Sequence, residues 1–179
     1  MNEKQQIFVN TKDKKLILRK IDEQTNKYKE ILKTDIIIGK NGATINKKEG
    51  DGKTPKGTYN LGIIFGIKPN PGTNLKYVEI NENYYWVDDS NSKYYNKMVN
   101  IKKVEKDWKS AEHLIKYQKE YQYVIEIKYN EEGKKGKGSA VFLHCIGDKN
   151  YTQGCIAIKK EAIIQVIKFL KLECKIKIV

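Results

Sequence analysis

The residues whose types and spacing could do chemistry lie in one short segment, FLHCIGDKNYTQGCIAI, at residues 142–158. It contains His144, one of only two histidines in the chain, eleven residues before Cys155. A cysteine attacks as its thiolate, and an unperturbed thiol is mostly protonated at neutral pH. A neighbouring imidazole that takes the thiol proton solves this problem. The pair therefore predicts a nucleophile, Cys155, with His144 as general base and later general acid.

The glycine before the cysteine fits the same chemistry. Gly154 allows a sharp backbone turn and leaves the thiol of Cys155 uncovered. Backbone amides in such a turn can point at a carbonyl oxygen and stabilise an oxyanion, so we expect Gly154 to contribute a donor there. On spacing alone a structural role stays open, because a buried cysteine is commonly a small hydrophobe and a lone histidine is commonly structural.

The other two cysteines are expected to be core residues. Cys145 lies inside an apolar run, and Cys174 lies next to a predicted terminal strand. An odd number of cysteines without a C-x-x-C spacing predicts neither a disulfide framework nor a zinc site. At least one thiol should be free.

The elements that must position the catalytic segment are mostly strands. Alternating or short apolar runs bounded by turn residues indicate strands, and they occur in QIFVN, KLILRKI, NKYKEIL, TDIIIGKNG, YNLGIIFGI, KYVEI, YQYVIEIKYN, AVFLHCI and CKIKIV. Glycines and a proline predict a loop over residues 46–60. The aromatic and polar segment NYYWVDDSNSKYYN predicts a surface loop or an edge strand.

Two segments favour helices. Residues 159–172 have the spacing of an amphipathic helix, with apolar residues at Ile163, Ile164, Ile167 and Leu170. Residues 107–121 are predicted to be helical at their centre. With 179 residues and neither a repeat nor a linker, the sequence predicts a single domain over residues 1–179. Its class is mainly β (α+β), with one or two helices.

The charge balance limits the partners. The chain has 35 Lys and Arg against 22 Asp and Glu, a net charge of +13. Arg19 is its only arginine, whereas proteins that read nucleic-acid sequence depend on arginine for bidentate contacts. We therefore expect no specific nucleic-acid partner. The scattered lysines leave two interpretations open, solubility alone or attraction to anionic cell-wall polymers.

The sequence predicts no transmembrane segment, because no apolar run is long enough to span a bilayer. The first residues, MNEKQQIFVN, also lack the apolar core of a signal peptide. Two locations follow: the cell envelope, periplasmic or cell-wall associated, if a leader was removed, and otherwise the cytoplasm.

Two motifs together resemble the YkuD-type L,D-transpeptidase catalytic domain. The family signature is a histidine, a variable insert, then Ser or Thr, a variable residue, Gly and Cys. It maps onto His144, Thr152, Gln153, Gly154 and Cys155. The segments DDSNSKYYN and WKSAEHL are similar to a subgroup with a short insert before the cysteine.

The second motif is the upstream loop GDGKTPKGTY, which resembles the glycine- and TP-containing loop of the same family. The matching positions are Gly52, Thr54, Pro55, Gly57 and Tyr59. With the opening strands and IIIGKNG, the resemblance covers essentially the whole chain. It implies a β-sandwich or barrel with one or two helices packed on it.

The resemblance also implies a function. Cys155 would attack the carbonyl after the third residue of a peptidoglycan stem tetrapeptide and expel D-alanine. The acyl group would then pass to an amine of a second stem and form a 3→3 cross-link, without any metal or cofactor. Two alternatives stay open: an L,D-carboxypeptidase or related thiol hydrolase that uses water as acceptor, and a non-catalytic module that binds the cell wall or polyanions.

Several residues are expected to bind substrate. Thr152 would hydrogen-bond the acyl group or cap its turn, and Trp86 with Tyr85 would line a groove or pack in the core. The motif positions complete the expected substrate-binding set, which comprises Thr54, Pro55, Gly57, Tyr59, Trp86 and Gln153.

The chain departs from the family pattern beside the nucleophile. Many members carry Arg or Asn shortly after the cysteine, whereas this chain reads CIAIKK. A clamp for a substrate carboxylate would therefore have to use lysine or backbone. Gln153 also replaces the frequent histidine, which removes one possible second base.

Four further residues are weaker candidates. His113 lies in a predicted helix and is expected to orient other groups or pack in the core. Glu112, Asp88 and Asp89 are acidic residues that could orient His144, or they could be solvated carboxylates without a role.

Overall fold

A computed structural model describes residues 5–179 of the chain. Among these residues it has one α-helix, α1 (Lys160–Phe169), and two 3-10 turns, Leu114–Lys116 and Glu120–Gln122. The strands are β1 Gln5–Asn10, β2 Lys15–Asp22, β3 Lys27–Asp35, β4 Ala43–Thr44, β5 Thr54–Pro55, β6 Gly57–Gly66, β7 Tyr77–Glu79, β8 Tyr84–Val87, β9 Lys97–Asn100, β10 Ala111–His113, β11 Val124–Ile127, β12 Phe142–Cys145, β13 Ile156–Ile158 and β14 Lys175–Ile178.

Most strands form one curled, mixed sheet. Its order is β13-β12-β11-β6-β14-β1-β2-β3, and β7 pairs with β6 outside this path. Strand β12 is parallel to β13, and β1 is parallel to β14. Helix α1 contacts both β12 and β3, which lie near opposite ends of the sheet, so the sheet curls around it. The predicted mainly β fold is confirmed.

The main core lies between the helix and the sheet. Strand β1 alternates buried and half-buried residues, as a strand with one core face must. Ile163, Val166 and Ile167 of α1 are fully buried among the apolar side chains of the sheet. The amphipathic pattern of residues 159–172 therefore predicted this helix and its buried face correctly.

A smaller aromatic core lies on the other face of β12. Phe142 contacts Trp86 of β8 and Phe65 of β6 at ring-centroid distances of 4.7 and 5.6 Å. Strand β8 is the middle strand of the second sheet, β10-β8-β9. This core fixes the second sheet against the strand that carries His144.

Three predicted elements differ from the structure. The centre of residues 107–121 is not an α-helix, because Ala111–His113 pairs with β8 as strand β10 and only 3-10 turns follow. The predicted strand TDIIIGKNG stops at Asp35, and its apolar residues form isolated bridges near the catalytic segment instead. Strands β5 and β6 both begin inside the predicted loop at residues 46–60.

Cys145 and Cys174 are buried and free, as predicted. Within residues 5–179, no helix is long and apolar enough to cross a membrane. The same residues contain no cluster of His, Cys, Asp and Glu side chains that could hold a metal ion.

Candidate active site

Strands β12 and β13 bring His144 and Cys155 to one face of the sheet. In their parallel register His144 lies opposite Ala157, and Cys155 is two residues before Ala157. Side chains two apart along a strand share a face, so Cys155 is a diagonal neighbour of His144. The spacing and rise of strands put their two Cα atoms about 8 Å apart. The two side chains therefore adjoin at the edge of the sheet.

Both residues line one open cleft with a volume of about 290 Å³. Its walls combine the catalytic segment with loops from the first half of the chain and from the second sheet. The lining residues used below are Lys47, Glu49, Asp88, Glu112, Glu120, Tyr121, Ala140, His144, Lys149, Thr152, Gln153, Gly154 and Cys155.

The thiol of Cys155 is protonated at rest. Its Sγ donates to the carbonyl oxygen of Ala140 at 3.1 Å and accepts from the N–H of Phe142 at 3.3 Å. Burial, together with the negative charge of Glu112, raises the pKa of the Cys155 thiol to about 12, against the opposing effects of the Phe142 N–H and the Lys47 ammonium. The residue stays partly exposed to the cleft.

The imidazole of His144 is neutral and has a defined tautomer. Its Nδ1 lies 2.7 Å from the carbonyl oxygen of Cys145, which can only accept, so Nδ1 carries the hydrogen and donates. Nε2 is then left with its lone pair, as a general base requires. Burial lowers the pKa of His144 below its ordinary value. The ring edge packs against Tyr121, with centroids 5.7 Å apart.

Thr152 holds the turn that presents the nucleophile. Its Oγ1 donates to the carbonyl oxygen of Cys155 at 2.6 Å and accepts from the N–H of Gly154 at 3.1 Å. Thr152 therefore caps the turn, one of the two roles expected of it. The Gly154 N–H is committed to this bond and is not free to bind an oxyanion in this structure, which corrects the expectation for that donor.

Gly154 is required by crowding as well as by backbone conformation. Its φ is +143°, a region that favours glycine. A Cβ at this position would lie 2.9 Å from the carbonyl oxygen of Lys53 and 3.2 Å from Nζ of Lys47. The TP-containing loop therefore packs directly on the residue before the nucleophile.

The TP-containing loop supports the catalytic turn from below. Thr54 is fully buried; its Oγ1 accepts from the N–H of Gly39 at 2.9 Å and donates to the carbonyl oxygen of Cys155 at 3.3 Å. Pro55 is also buried. Neither residue lines the cleft, so the expectation that they contact substrate is wrong, because their positions are filled by contacts within the protein.

Gly57 and Tyr59 also have a structural role. Tyr59 donates its hydroxyl to the carbonyl oxygen of Lys56 at 2.7 Å, and a Cβ on Gly57 would lie 2.5 Å from that hydroxyl. The tyrosine folds back over the glycine and closes the loop. Neither residue lines the cleft, so the structure does not support their predicted contact with substrate.

The two remaining substrate-binding candidates, Gln153 and Trp86, lie in different surroundings. Gln153 is exposed and lines the cleft beside Gly154. Trp86 is only 2% exposed, donates its Nε1–H to Asn96 Oδ1 and packs in the aromatic core, against which Cys155 also packs. Trp86 does not line this cleft, so the structure favours the core interpretation.

The weaker candidates do not orient His144 in this structure. His113 lies on β10, stacks on Tyr85 at 4.3 Å and donates Nε2–H to the carbonyl oxygen of Glu82, so it is structural. Asp89 accepts backbone N–H groups of Asn91 and Lys109. Orientation of the His144 ring comes from the Cys145 carbonyl instead.

Glu112 and Asp88 form an acidic wall in the cleft. Glu112 accepts the hydroxyl of Tyr121 at 2.7 Å, and burial raises the pKa of its carboxyl to about 7. Oδ1 of Asp88 is buried and has no hydrogen-bond partner among residues 5–179. Glu112 is therefore not the solvated carboxylate that the sequence left open.

Lys47 is a site residue that was not predicted. Its side chain is 5% exposed, and its Nζ forms an ion pair with Asp51 at 2.8 Å. It lies in the loop between β4 and β5 and lines the cleft next to Gly154. In a chain with so many lysines, nothing in the local sequence distinguishes the buried one.

Solved structures with a similar fold come from bacterial proteins. The helical cell shape determining protein Pgp2 from Campylobacter jejuni is 20% identical with a TM-score of 0.54, and Bd1075 from Bdellovibrio bacteriovorus is 18% identical with a TM-score of 0.54. Each comparison covers 99% of this chain and 48% of the other, so this chain spans about half the length of those proteins. A search of curated proteins found no significant match.

The family comparison covers nearly the entire sequence. The model of the YkuD family, described as the L,D-transpeptidase catalytic domain, matches residues 4–178. This range includes both motifs and every element of the cleft. The chain therefore belongs to the YkuD family of L,D-transpeptidase catalytic domains.

Proposed function

We propose that this chain is a cysteine acyltransferase of the L,D-transpeptidase type that acts on peptidoglycan stem peptides. The observation that carries the proposal is the placement of Cys155 beside His144, whose Nδ1 is held by a backbone carbonyl, which leaves the lone pair on Nε2. A thiol and an unprotonated imidazole nitrogen at the floor of one cleft are the groups that acyl transfer needs.

Because the Cys155 thiol and the His144 imidazole are both neutral, acylation of Cys155 begins with a proton transfer between them. The thiol proton turns from the Ala140 carbonyl to Nε2 of His144 while Sγ bonds to the carbonyl carbon after the third stem residue. The tetrahedral intermediate collapses, its C–N bond breaks, and the imidazolium gives its proton to the departing amine of D-alanine. A thioester on Cys155 remains.

The second step repeats the proton transfers in reverse. An acceptor amine of another stem attacks the thioester and gives a proton to His144, and Cys155 leaves as the thiol after recovering that proton. The products are a cross-linked dimer and the regenerated enzyme. Water in place of the amine would give a shortened stem, the outcome of the alternative L,D-carboxypeptidase.

The acidic wall supports an amine as the acceptor. Glu112, Asp88 and Glu120 all line the cleft that contains Cys155. Carboxylates attract an ammonium group and can accept its proton before attack, whereas they offer no such preference to water. The wall therefore favours transpeptidation over hydrolysis.

The substrate class also suggests where the protein acts. Peptidoglycan stems lie in the cell wall, so we propose a location in the cell envelope. The related Campylobacter jejuni protein is named for helical cell shape, and a role in cell shape is part of this proposal. The net charge of +13 would also allow weak attraction to anionic wall polymers.

Product analysis tests the proposed function. The purified chain is incubated with a disaccharide-tetrapeptide, and mass spectrometry follows D-alanine, the tripeptide and the dimer. We expect D-alanine release and dimer from the wild type, and neither product from Cys155→Ala. Tripeptide without dimer would establish the carboxypeptidase instead, and absence of all three products would contradict both activities.

A further inference from the structure

Lys47 is held as a buried cation at the cleft. Its side chain passes between two glycines: ideal Cβ atoms on Gly138 and Gly154 would lie 3.1 Å from its Cε and 3.2 Å from its Nζ. Both glycines have positive φ, +101° and +143°. Glycine at both positions therefore leaves room for the lysine side chain, and the ammonium reaches Gly154, the residue before the nucleophile.

The surrounding loop fixes the position of this ammonium. Asp51 accepts from Lys47 Nζ and from the N–H of Lys53 through one oxygen, and from the N–H of Lys48 through the other, each at 2.8 Å. Burial opposes ionisation of Asp51, but these hydrogen bonds outweigh it and keep the pKa of the carboxyl below its ordinary value. An ammonium has three N–H groups, and among the described residues Lys47 uses one of them in its bond to Asp51, so the others can serve another acceptor.

The opposite charges divide the cleft. Lys47 borders Gly154 on one side, whereas Glu112 and Asp88 form the acidic wall on another. The acidic wall repels a carboxylate, and the ammonium attracts one. The cleft is also lined by exposed Lys149 and by Glu49, which accepts the Tyr95 hydroxyl. Of the two lysines, only Lys47 is buried against the residue before Cys155, so we expect an anionic group beside Cys155 to bind Lys47.

We propose that Lys47 binds the C-terminal carboxylate of the donor stem, the carboxylate of the residue that leaves when Cys155 is acylated. This inference rests on the proposed function and adds to it the group that recognises the end of the substrate. That carboxylate lies one residue, about 3.8 Å of chain, beyond the attacked carbonyl. Lys47 Nζ adjoins Gly154, the residue before the nucleophile, so a group one residue from the attacked carbonyl is the one we expect it to reach.

The experiment compares two substrates that differ only at the carboxyl end. The stem tetrapeptide is prepared as the free acid and as the C-terminal amide, and kcat and KM for release of the last residue are measured for each. A charge-assisted hydrogen bond predicts that the wild type prefers the acid by about 10- to 100-fold in kcat/KM. Lys47→Met should abolish this preference, mainly by raising KM for the acid, whereas any effect through the Cys155 thiol should change acid and amide alike and leave their ratio unaltered.

Three further variants make the result specific. Lys48→Met removes the same charge from the same loop at an exposed position and should behave like the wild type. Lys47→Arg should retain much of the preference for the acid. Lys47→Met alone leaves the Asp51 carboxylate without its cation. Lys47→Met combined with Asp51→Asn removes both charges, and it should show the same loss of preference for the acid.

The outcomes separate this inference from the proposed function. Equal losses on the acid and the amide in Lys47→Met, or an unchanged ratio, would overturn the role of Lys47 while the enzyme activity stands. If the wild type releases no residue from either peptide, the proposed function fails. Calorimetric binding of both peptides to Cys155→Ala then decides on Lys47: tighter binding of the acid that Lys47→Met removes would support the site, and equal or absent binding would overturn it.

Discussion

At the scale of single residues, the raised pKa of Cys155 and the lowered pKa of His144 favour a neutral thiol and a neutral imidazole for the proposed nucleophile and base. The Cys155 thiol donates to Ala140, and the His144 ring donates to Cys145, so neither hydrogen bond joins the two residues directly. The thiol must rotate towards Nε2 when substrate enters. Activation is therefore a proton transfer that accompanies attack, and not a stored thiolate–imidazolium pair.

This state predicts a specific pH dependence of thiol alkylation. A raised pKa means that the protonated thiol persists as the pH rises, so the rate of Cys155 alkylation by iodoacetamide should increase continuously from pH 6 to 10. Glu112→Gln should accelerate alkylation above about pH 7, where the Glu112 carboxyl is ionised and its charge contributes to the raised pKa of Cys155. Peptide mapping by mass spectrometry identifies the modified cysteine.

A rate that reaches its plateau near neutral pH would contradict the neutral pair. Cys145 and Cys174 are internal references, since both are buried and should react slowly in the folded protein. The pKa shift of His144 sets the acid limb of the pH–rate profile for catalysis. The lowered pKa of His144 keeps its base form available below pH 6.5.

Residue types, spacing and the family motif singled out Cys155 and His144 as candidates, but not Lys47. Only two histidines occur in the chain, and the motif around Cys155 is distinctive. Lys47 acquires its place through Asp51 and through two glycines, one of them more than a hundred residues away in the sequence. Such a position exists only after the chain has folded.

At the scale of elements, the short strands β4 and β5 stabilise the turn that carries Cys155. Strand β5 pairs with β4, and Thr54 of β5 reaches both the Cys155 carbonyl and the Gly39 N–H. Gly39 in turn bridges to Thr152. Through these hydrogen bonds, the TP-containing loop fixes the position of Cys155 relative to the first half of the chain.

Thr54→Val tests this support. The substitution preserves the shape of the side chain but leaves the buried N–H of Gly39 without its acceptor, which should lower the free energy of unfolding by about 1–3 kcal/mol. We also expect a lower kcat, because the Cys155 carbonyl loses one of its donors. Urea denaturation and D-alanine release measure the two effects.

Thr58→Val is the matched control, because Thr58 is exposed on neighbouring strand β6. It should change neither stability nor kcat appreciably. If Thr54→Val unfolds at the same urea concentration as this control, then Thr54 does not support the turn.

Elements with strong local patterns were predicted, and those defined by distant partners were not. The buried face of α1 and the alternation in β1 are visible in the sequence because each has one core face. Strand β10 is only three residues long and exists because β8 pairs with it. Local propensity in residues 107–121 suggested a helix, and strand pairing overrode it.

At the scale of the whole molecule, the curled sheet brings together site residues that are far apart in the sequence. The sheet places His144 on β12 and Cys155 immediately before the adjacent edge strand β13. The aromatic core around Phe142 fixes the second sheet, which carries Glu112, beside them. The loop between β4 and β5 adds Lys47 from the first third of the chain. The class of fold was predictable from strand content, whereas the cleft depends on how the sheet curls.

The most direct measurement of the central claim is the mass of the intact protein during turnover. Wild-type protein mixed with the stem tetrapeptide should gain the mass of the acyl tripeptide, and digestion should place the thioester on Cys155. His144→Ala should accumulate this adduct much more slowly, and Cys155→Ala should never form it. An adduct that persists in Cys155→Ala, or release of D-alanine from that variant, would contradict Cys155 as the nucleophile.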